Sequence, residues 1–466
     1  MSRPSAGDCT VGVDVGTTAV KAVAVDAQGH VVARARVPHR VGAASVDSLE
    51  HDVARAWRRG PRRAFADVVA ELDGPPAGVT VTSMVPSITA VNRRGTPLLP
   101  GLLYGDARAR PTEPSDGAPD DLGGEREQGR RMVEWAVGAR PGAHGYWNCQ
   151  AVATHALAGV PAVDGATATS FGGLCRGGRW DQVALDKLAI GVDQLPVIGG
   201  MGERVGSVPG APTAFAGGSI DAFCEQIVAG AERPGDVLVI FGATLIVWVI
   251  TEEWTEVPGL TTLPNMVAGQ VQIGGPSNAG ALFADWARAL VDGGRRRGPL
   301  GPGRSSDEMR TGDPGRVPVW LPYLRGERTP FHDTELRASV HGLDISQGPE
   351  ALLRAAHEAS GFVIRRIVER SGAEAHRIVA TGGGSRSVPW MQAVADATGL
   401  PVDTTAVSEG AALGAAYLAR MAAGLATGFA EAASWSGAGR RIEPDPAWAA
   451  AAAGRFEQFE ALGPEG

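Results

Sequence analysis

Asp14-Val15-Gly16-Thr17-Thr18, with Lys21 just beyond, places a carboxylate, a glycine turn, two hydroxyls and an ammonium in a very short stretch. A glycine at a tight turn exposes backbone N–H groups, and threonine hydroxyls add donors, a combination suited to phosphate oxygens. A carboxylate at the preceding strand end can hold a Mg2+ ion through water. The alternative is a structural hairpin that happens to carry an aspartate. Gly242-Ala243-Thr244 repeats the pattern much later in the chain. Two such turns facing one another could close on a polyphosphate, although the second taken alone reads better as an ordinary hairpin.

Two further clusters stand out. Ile378-Val379-Ala380-Thr381 runs into Gly382-Gly383-Gly384-Ser385, and Ser387 then precedes Val388-Pro389-Trp390-Met391-Gln392. Consecutive glycines after a strand let a flat ring or a phosphate approach the backbone, and a following helix N-terminus favours negative charge. The spacing is neither GxGxxG nor a Walker loop. In Phe215-Ala216-Gly217-Gly218-Ser219-Ile220-Asp221-Ala222-Phe223, a lone carboxylate opens an apolar helix running to about Gly230. By its residues alone, Asp221 reads as a helix cap.

The elements that must position these groups follow from periodicity. Val11–Val15 and Lys21–Val25 alternate in the strand manner around the Gly-Thr-Thr turn, and His30–Val37 follows a Gln28-Gly29 turn. Such a meander opening a long α/β chain predicts a mixed sheet. Asp52–Leu72 has helical spacing, Val79–Ser83 reads as a buried strand, and Ser87–Arg93 begins a hairpin. Arg110–Gly124, rich in Pro, Gly and Asp, reads as a loop. Asp236–Ile250 is a second strand-turn-strand like the first, predicting two domains of one kind divided near Glu232–Gly235.

Bulk properties set the class. The chain has 466 residues, 44% hydrophobic and 20% charged, enough for two or three domains. A net charge of −8 gives no field that would draw in nucleic acid or anionic lipid. Arg58, Arg59, Arg62 and Arg63 form a local basic cluster, and Arg295, Arg296 and Arg297 sit in a Gly/Pro-rich run that reads as a solvated loop. No apolar run is long enough to span a bilayer and the N-terminus has no signal-peptide layout, so a cytoplasmic location is expected. Cys9, Cys149, Cys175 and Cys224 are too scattered for a zinc site or a disulfide framework and read as free thiols. Only two lysines occur, Lys21 and Lys187, which makes one inside a motif noticeable.

Taken together, the motifs resemble those of the FGGY carbohydrate kinases over nearly the whole chain. VGVDVGTTAVKAVAVDAQG is similar to the family's first phosphate motif, GDVLVIFGATLIV to its second, and IVATGGGSRSVPWMQAVADATGLPV to its adenosine motif. GGSIDAF resembles the segment holding its catalytic aspartate, and EGAALGAAYLA its final core helix. VPVWLPYLRGERTPFHDTELRASVHGLD resembles the Gly-Glu-Arg-Thr-Pro segment of xylulokinase-like members. The resemblance implies two ribonuclease H-like domains of the actin/hexokinase type, with nucleotide and sugar bound in a cleft between them. The implied division is 1–232 for the N-terminal domain, 233–440 for the C-terminal domain and 441–466 for a helical tail.

The implied activity is ATP-dependent phosphorylation of a hydroxyl on a small sugar or polyol, a ketose such as xylulose or a related metabolite. Asp221 would be the general base and Asp14 the metal-associated position, with ATP and Mg2+ as cofactors. Gly16, Thr17, Thr18, Lys21, Gly242 and Thr244 would meet the phosphates, and Gly382, Gly383, Gly384, Ser385 and Gln392 the nucleotide. Neither nucleic acid nor a membrane is expected as a partner, and a homodimer is an open option.

The chain departs from the family pattern at the sugar side. Where members carry Gly-Gln-Met-His, it has Thr82-Ser83-Met84-Val85-Pro86-Ser87, so Met84 is kept and Val85 cannot make the expected hydrogen bond. Leu103-Tyr104-Gly105-Asp106-Ala107-Arg108 stands in place of Trp-Asn-Asp-x-Arg, leaving Tyr104 and Asp106 as substrate candidates. Ala243 replaces a threonine of the second phosphate turn. The segment Gly145–Gly165 offers Tyr146, Trp147, Asn148 and Gln150, either as substrate contacts or as packing.

Overall fold

The computed structural model describes residues 5–42, 48–104, 106–109, 123–265, 269–291, 313–407, 409–429 and 431–464. The chain forms two units, one of residues 1–228 and 409–435, the other of residues 229–408 and 436–466. The crossover lies a few residues before the Glu232–Gly235 position expected from sequence. The helix Gly410–Ala422 rejoins the first unit, and the terminal helix Pro446–Leu462 belongs to the second rather than standing as a separate tail.

In the first unit β1 (Thr10–Val15), β2 (Ala19–Val25) and β3 (Val31–Pro38) form the expected meander. β1 also pairs in parallel with Gly78–Ser83, which pairs with Ala214–Ala216, and Arg204–Ser207 closes the six-stranded sheet. The sheet is therefore mixed. Both faces are covered, so β1 is buried throughout, and the small or polar residues Thr10, Gly12 and Asp14 that alternate with its valines are buried as well. The helix Gly410–Ala422 lies against β1 so closely that a Cβ on Gly12 would strike the Ala412 carbonyl. Here glycine permits an approach no other residue allows.

The helical stretch expected at Asp52–Leu72 begins as a π-helical turn, Ala54–Arg59, and continues as an α-helix, Gly60–Val69. Residues 110–122 of the expected Arg110–Gly124 loop lie outside the described residues, and Gly123 and Gly124 open the helix Gly123–Ala139. The Arg295–Arg297 cluster also lies outside them. All four cysteines are free and buried.

The second unit repeats the plan. Asp236–Phe241 and Leu245–Thr251 form an antiparallel hairpin, and the first of these strands pairs in parallel with Arg377–Thr381. Its seven-stranded sheet is buried under the helices Pro349–Ser371 and Val388–Thr398. Among the described residues no helix is long and apolar enough to cross a membrane.

Candidate active site

In the first unit the chemistry collects where β1 and Gly78–Ser83 end, the carboxyl end of parallel strands where such sheets place ligands. Asp14 is 5% exposed and faces Lys21 across the hairpin, with Lys21 Nζ 3.5 Å from its Oδ2. Burial raises the Asp14 carboxyl above the usual range, and Lys21 partly offsets this. The Lys21 ammonium is in turn held well protonated, chiefly by Asp14.

Asp221 arrives from far along the chain by backbone pairing. Thr82 Oγ1 donates to the Ser219 carbonyl at 2.7 Å, and Ser83 bridges Ile220 in parallel. Gly218, at φ +75°, turns the chain so tightly that a Cβ would meet the Val81 carbonyl. Asp221 is then the first residue of the helix Asp221–Ala229, and Oδ1 accepts the N–H of Ala222 at 2.8 Å. This is not the reach to the second or third helical N–H that defines a cap. The side chain is half-buried. Desolvation first, and the neighbouring Asp14 charge second, push its carboxyl up to about 6. Two carboxylates thus share one site, and a carboxyl raised to about 6, as that of Asp221 is, is suited to proton transfer near neutrality.

The turn Gly16–Thr18 lies beside them. Thr17 Oγ1 is 3.4 Å from the Tyr104 hydroxyl, and Gln128 Nε2 donates to the Tyr104 carbonyl at 2.6 Å. Tyr104 is thereby tied to the phosphate-turn candidate. Asp106 is fully buried and its oxygens are committed to the Leu49 N–H and to the backbone and guanidinium of Arg108. Arg108 also bonds Glu50 at 2.6 Å and lies over the Trp135 ring, and both acids hold it firmly protonated. Asp106 therefore acts as a structural anchor, because its acceptor capacity is already used.

Met84 is buried, and Val85 beside it keeps part of its surface accessible. The segment from Gly145 supplies scaffolding. Asn148 caps the helix Cys149–Ala158 through the Ala151 N–H at 2.9 Å, Tyr146 donates to the Arg140 carbonyl at 2.8 Å, and Gln150 Nε2 donates to the Gly217 carbonyl. Gln150 thus supports the glycine pair leading to Asp221.

In the second unit the turn Gly242–Thr244 is held from behind. The Gly242 and Ala243 carbonyls accept the N–H groups of Ala281 and Leu282 at 2.9 and 3.1 Å. The glycine run follows the strand Arg377–Thr381. Gly382 has φ +86° and a Cβ there would meet the Phe241 backbone, whereas a Cβ on Gly383 would meet nothing within 4 Å. A Cβ on Gly384 would strike Trp390 and Phe241. Only Gly383 thus offers open space to a ligand; its two neighbours are required by packing. Ser385 Oγ is turned inward onto the Gly382 carbonyl at 2.8 Å, and the Gln392 amide donates to Asp396 and to the Glu443 carbonyl, each at 2.9 Å. These two candidates have their donors spent within the fold. Glu327 of the Gly-Glu-Arg-Thr-Pro segment is buried and bonded to Ser277, Asn278 and its own following N–H, so it pins a loop.

A profile for the FGGY family of carbohydrate kinases, N-terminal domain, matches residues 9–114, and the C-terminal domain profile matches residues 238–423. The chain belongs to the FGGY family of carbohydrate kinases. It is 24% identical to a gluconokinase of Bacillus subtilis (strain 168), over 93% of this chain and 91% of that one. It is 28% identical to a xylulose kinase of Streptomyces coelicolor, over 91% of this chain and 89% of the relative. A crystal structure of ligand-bound xylulose kinase from Lactobacillus acidophilus superposes with a TM-score of 0.79 at 23% identity, covering 97% of this chain and 96% of that chain. As an FGGY kinase the protein is an ATP-using sugar kinase with two actin/hexokinase-type domains.

Functional candidates absent from the sequence reading are His39, His51 and Trp57, which surround the Gly16–Thr18 turn from behind. An imidazole bonded to a distant carbonyl leaves no mark in local periodicity, and only the recurrence of His and Trp near the first helix could have drawn notice.

Proposed function

We propose that this FGGY kinase transfers the γ-phosphoryl group of ATP to a hydroxyl of a small ketose, polyol or related polyhydroxy metabolite, with Asp221 as general base. The observation that carries the reading is the half-buried Asp221, whose carboxyl stands at about 6 beside Asp14 at the ends of the parallel strands. A sugar hydroxyl is a poor nucleophile. Asp221 accepts its proton while the acceptor oxygen bonds to the γ-phosphorus; the bond to the bridging oxygen breaks and ADP leaves with that electron pair.

Asp14, together with the Gly16–Thr18 turn, suits a hydrated Mg2+ ion, since its carboxylate is part of the site and pairs with a single ammonium. When bound, that ion would neutralise charge on the phosphate oxygens. Lys21 supplies a fixed positive charge that favours the ionised form of Asp14 against the effect of its burial. Thr17 and Thr18 orient phosphate oxygens in the first unit, and the Gly242–Thr244 turn and Gly383 meet the nucleotide in the second.

The named relatives support a xylulokinase-like or gluconokinase-like acceptor. Val85 argues for an acceptor making an apolar or no contact at that point, because no donor is offered there. A cytoplasmic location belongs to the same reading. The test is ADP release by purified protein against a panel of ketoses, alditols and aldonates, each repeated with Asp221→Asn. Acceptor-dependent ADP release that disappears in the variant supports the proposal; turnover surviving in Asp221→Asn removes Asp221 from its role.

A further inference from the structure

Three consecutive carbonyls of the Gly16–Thr18 turn are bound from one side by only two residues. His39 Nε2 lies 3.0 Å from the Gly16 oxygen, His51 Nε2 lies 2.8 Å from the Thr17 oxygen, and the backbone N–H of His39 donates to the Thr18 oxygen at 3.0 Å. A carbonyl oxygen only accepts, so each imidazole must carry its proton on Nε2. For His51 a second contact confirms this. Trp57 Nε1–H, which can only donate, points at His51 Nδ1 at 2.9 Å, leaving that nitrogen as the acceptor.

The arrangement is sealed. His39 is 8% exposed, and His51 and Trp57 are fully buried. The two imidazoles meet edge to face with centroids 4.6 Å apart. Burial, reinforced by the neighbouring imidazole, drops the His51 pKa to about 4, and burial also lowers that of His39. Both rings are therefore neutral near pH 7, and each donates a hydrogen bond without placing a charge behind the turn.

The consequence concerns what the turn presents on its other side. Free carbonyl oxygens near a polyphosphate would repel it, whereas N–H groups attract it. Among the described residues no backbone acceptor is found for the N–H groups of Thr17 and Thr18. The second unit ties back its own turn in the same sense, but with the backbone N–H groups of Ala281 and Leu282. One turn uses a helix start and the other uses two side chains for the same task.

We infer that His39 and His51 are positioning residues of the ATP-phosphate turn, binding its carbonyls so that its N–H groups face the phosphate oxygens, and that Trp57 fixes the proton on His51. The inference rests on the reading of residues 16–18 as a phosphate turn.

The experiment compares His51→Leu, His51→Gln and Trp57→Phe in the full-length protein, measuring ATP affinity by titration and KM for ATP and for the acceptor. Loss of one such hydrogen bond should raise the ATP Kd and KM about 3–10-fold in His51→Leu. The acceptor KM should stay within about 2-fold, since the imidazole acts on the phosphate turn alone. Glutamine can set an amide N–H where Nε2–H lies, so His51→Gln should recover most of the loss. Trp57→Phe frees the tautomer and should weaken ATP by about 2-fold.

A folded His51→Leu with unaltered ATP affinity, or with ATP and acceptor weakened equally and no recovery in His51→Gln, overturns the inference. If His51→Leu does not fold, nitrogen NMR of His51 in the wild-type protein decides, because an Nδ1–H tautomer contradicts the relay and an Nε2–H tautomer with weakened ATP in Trp57→Phe upholds it. Gly16→Val separates this from the underlying reading. Unchanged ATP affinity in that variant removes the phosphate turn itself; weakened affinity there beside an unaffected His51→Leu removes only the histidines.

Discussion

Lys21 and Asp14 face one another across the β1–β2 hairpin, 3.5 Å apart, and both charges act on the carboxyl of Asp221. The Asp14 charge raises the carboxyl of Asp221, and the Lys21 charge lowers it. One of the two lysines in the chain is therefore placed to tune both acids.

Substituting Asp221→Asn should lower kcat by about 10²–10⁴-fold while ATP affinity changes little. The same variant should be more heat-stable at pH 7. Asp221 has a folded pKa of about 6, above the ordinary carboxylate value, so its stabilising contribution exists only at acid pH and is lost as pH rises through 6. Asparagine removes the cost of the buried charge, and the melting temperature should rise by a few degrees in calorimetry. Activity within a few-fold of wild type would remove Asp221 as the base.

The pH profile of kcat/KM should show an acid limb near 6, with activity falling about tenfold per unit below it as Asp221 becomes protonated. Lys21→Met removes a positive charge that favours the Asp221 carboxylate, so the limb should move to higher pH. A limb that stays in place, or moves lower, would contradict the coupling.

The glycine run should respond unequally to valine. Gly383→Val enters open space and should leave the melting temperature nearly unchanged while weakening ATP. Gly384→Val meets Trp390 and Phe241 and should destabilise the second unit, an overpacking cost of about 1–3 kcal/mol. Titration and thermal melts on both variants check this; unaltered ATP affinity in Gly383→Val would make the run purely structural.

Val85→His should shift acceptor choice. A site with a hydrogen-bonding group can favour a hydroxylated acceptor by up to about 10⁴-fold over one lacking the hydroxyl, whereas an apolar wall discriminates far less. The substitution should reduce turnover of the native acceptor and raise activity on D-xylulose. Wild-type efficiency on D-xylulose matching a dedicated kinase would show that Val85 does not set specificity.

Much of the frame was legible in the residues themselves. The alternation in Val11–Val15 and Lys21–Val25, the repeat at Asp236–Ile250 and the glycines after Thr381 report local conformation, which depends on neighbours in sequence. The order of those motifs carried the family, and the family profiles match the same stretches.

What the tertiary structure decided was the use of each polar group, because hydrogen-bond capacity and charge depend on partners brought from distant positions. Asp106, Ser385 and Gln392 look available in sequence, yet each is spent on a partner within the fold. Asp221 looks like a helix cap, yet burial and Asp14 raise its carboxyl to about 6. His39, His51 and Trp57 carry no local signal, and their alignment behind Gly16 and Thr17 exists only once the sheet and the first helix have packed. Local sequence determined the strands and turns; desolvation and long-range pairing determined which of their side chains remained free to act.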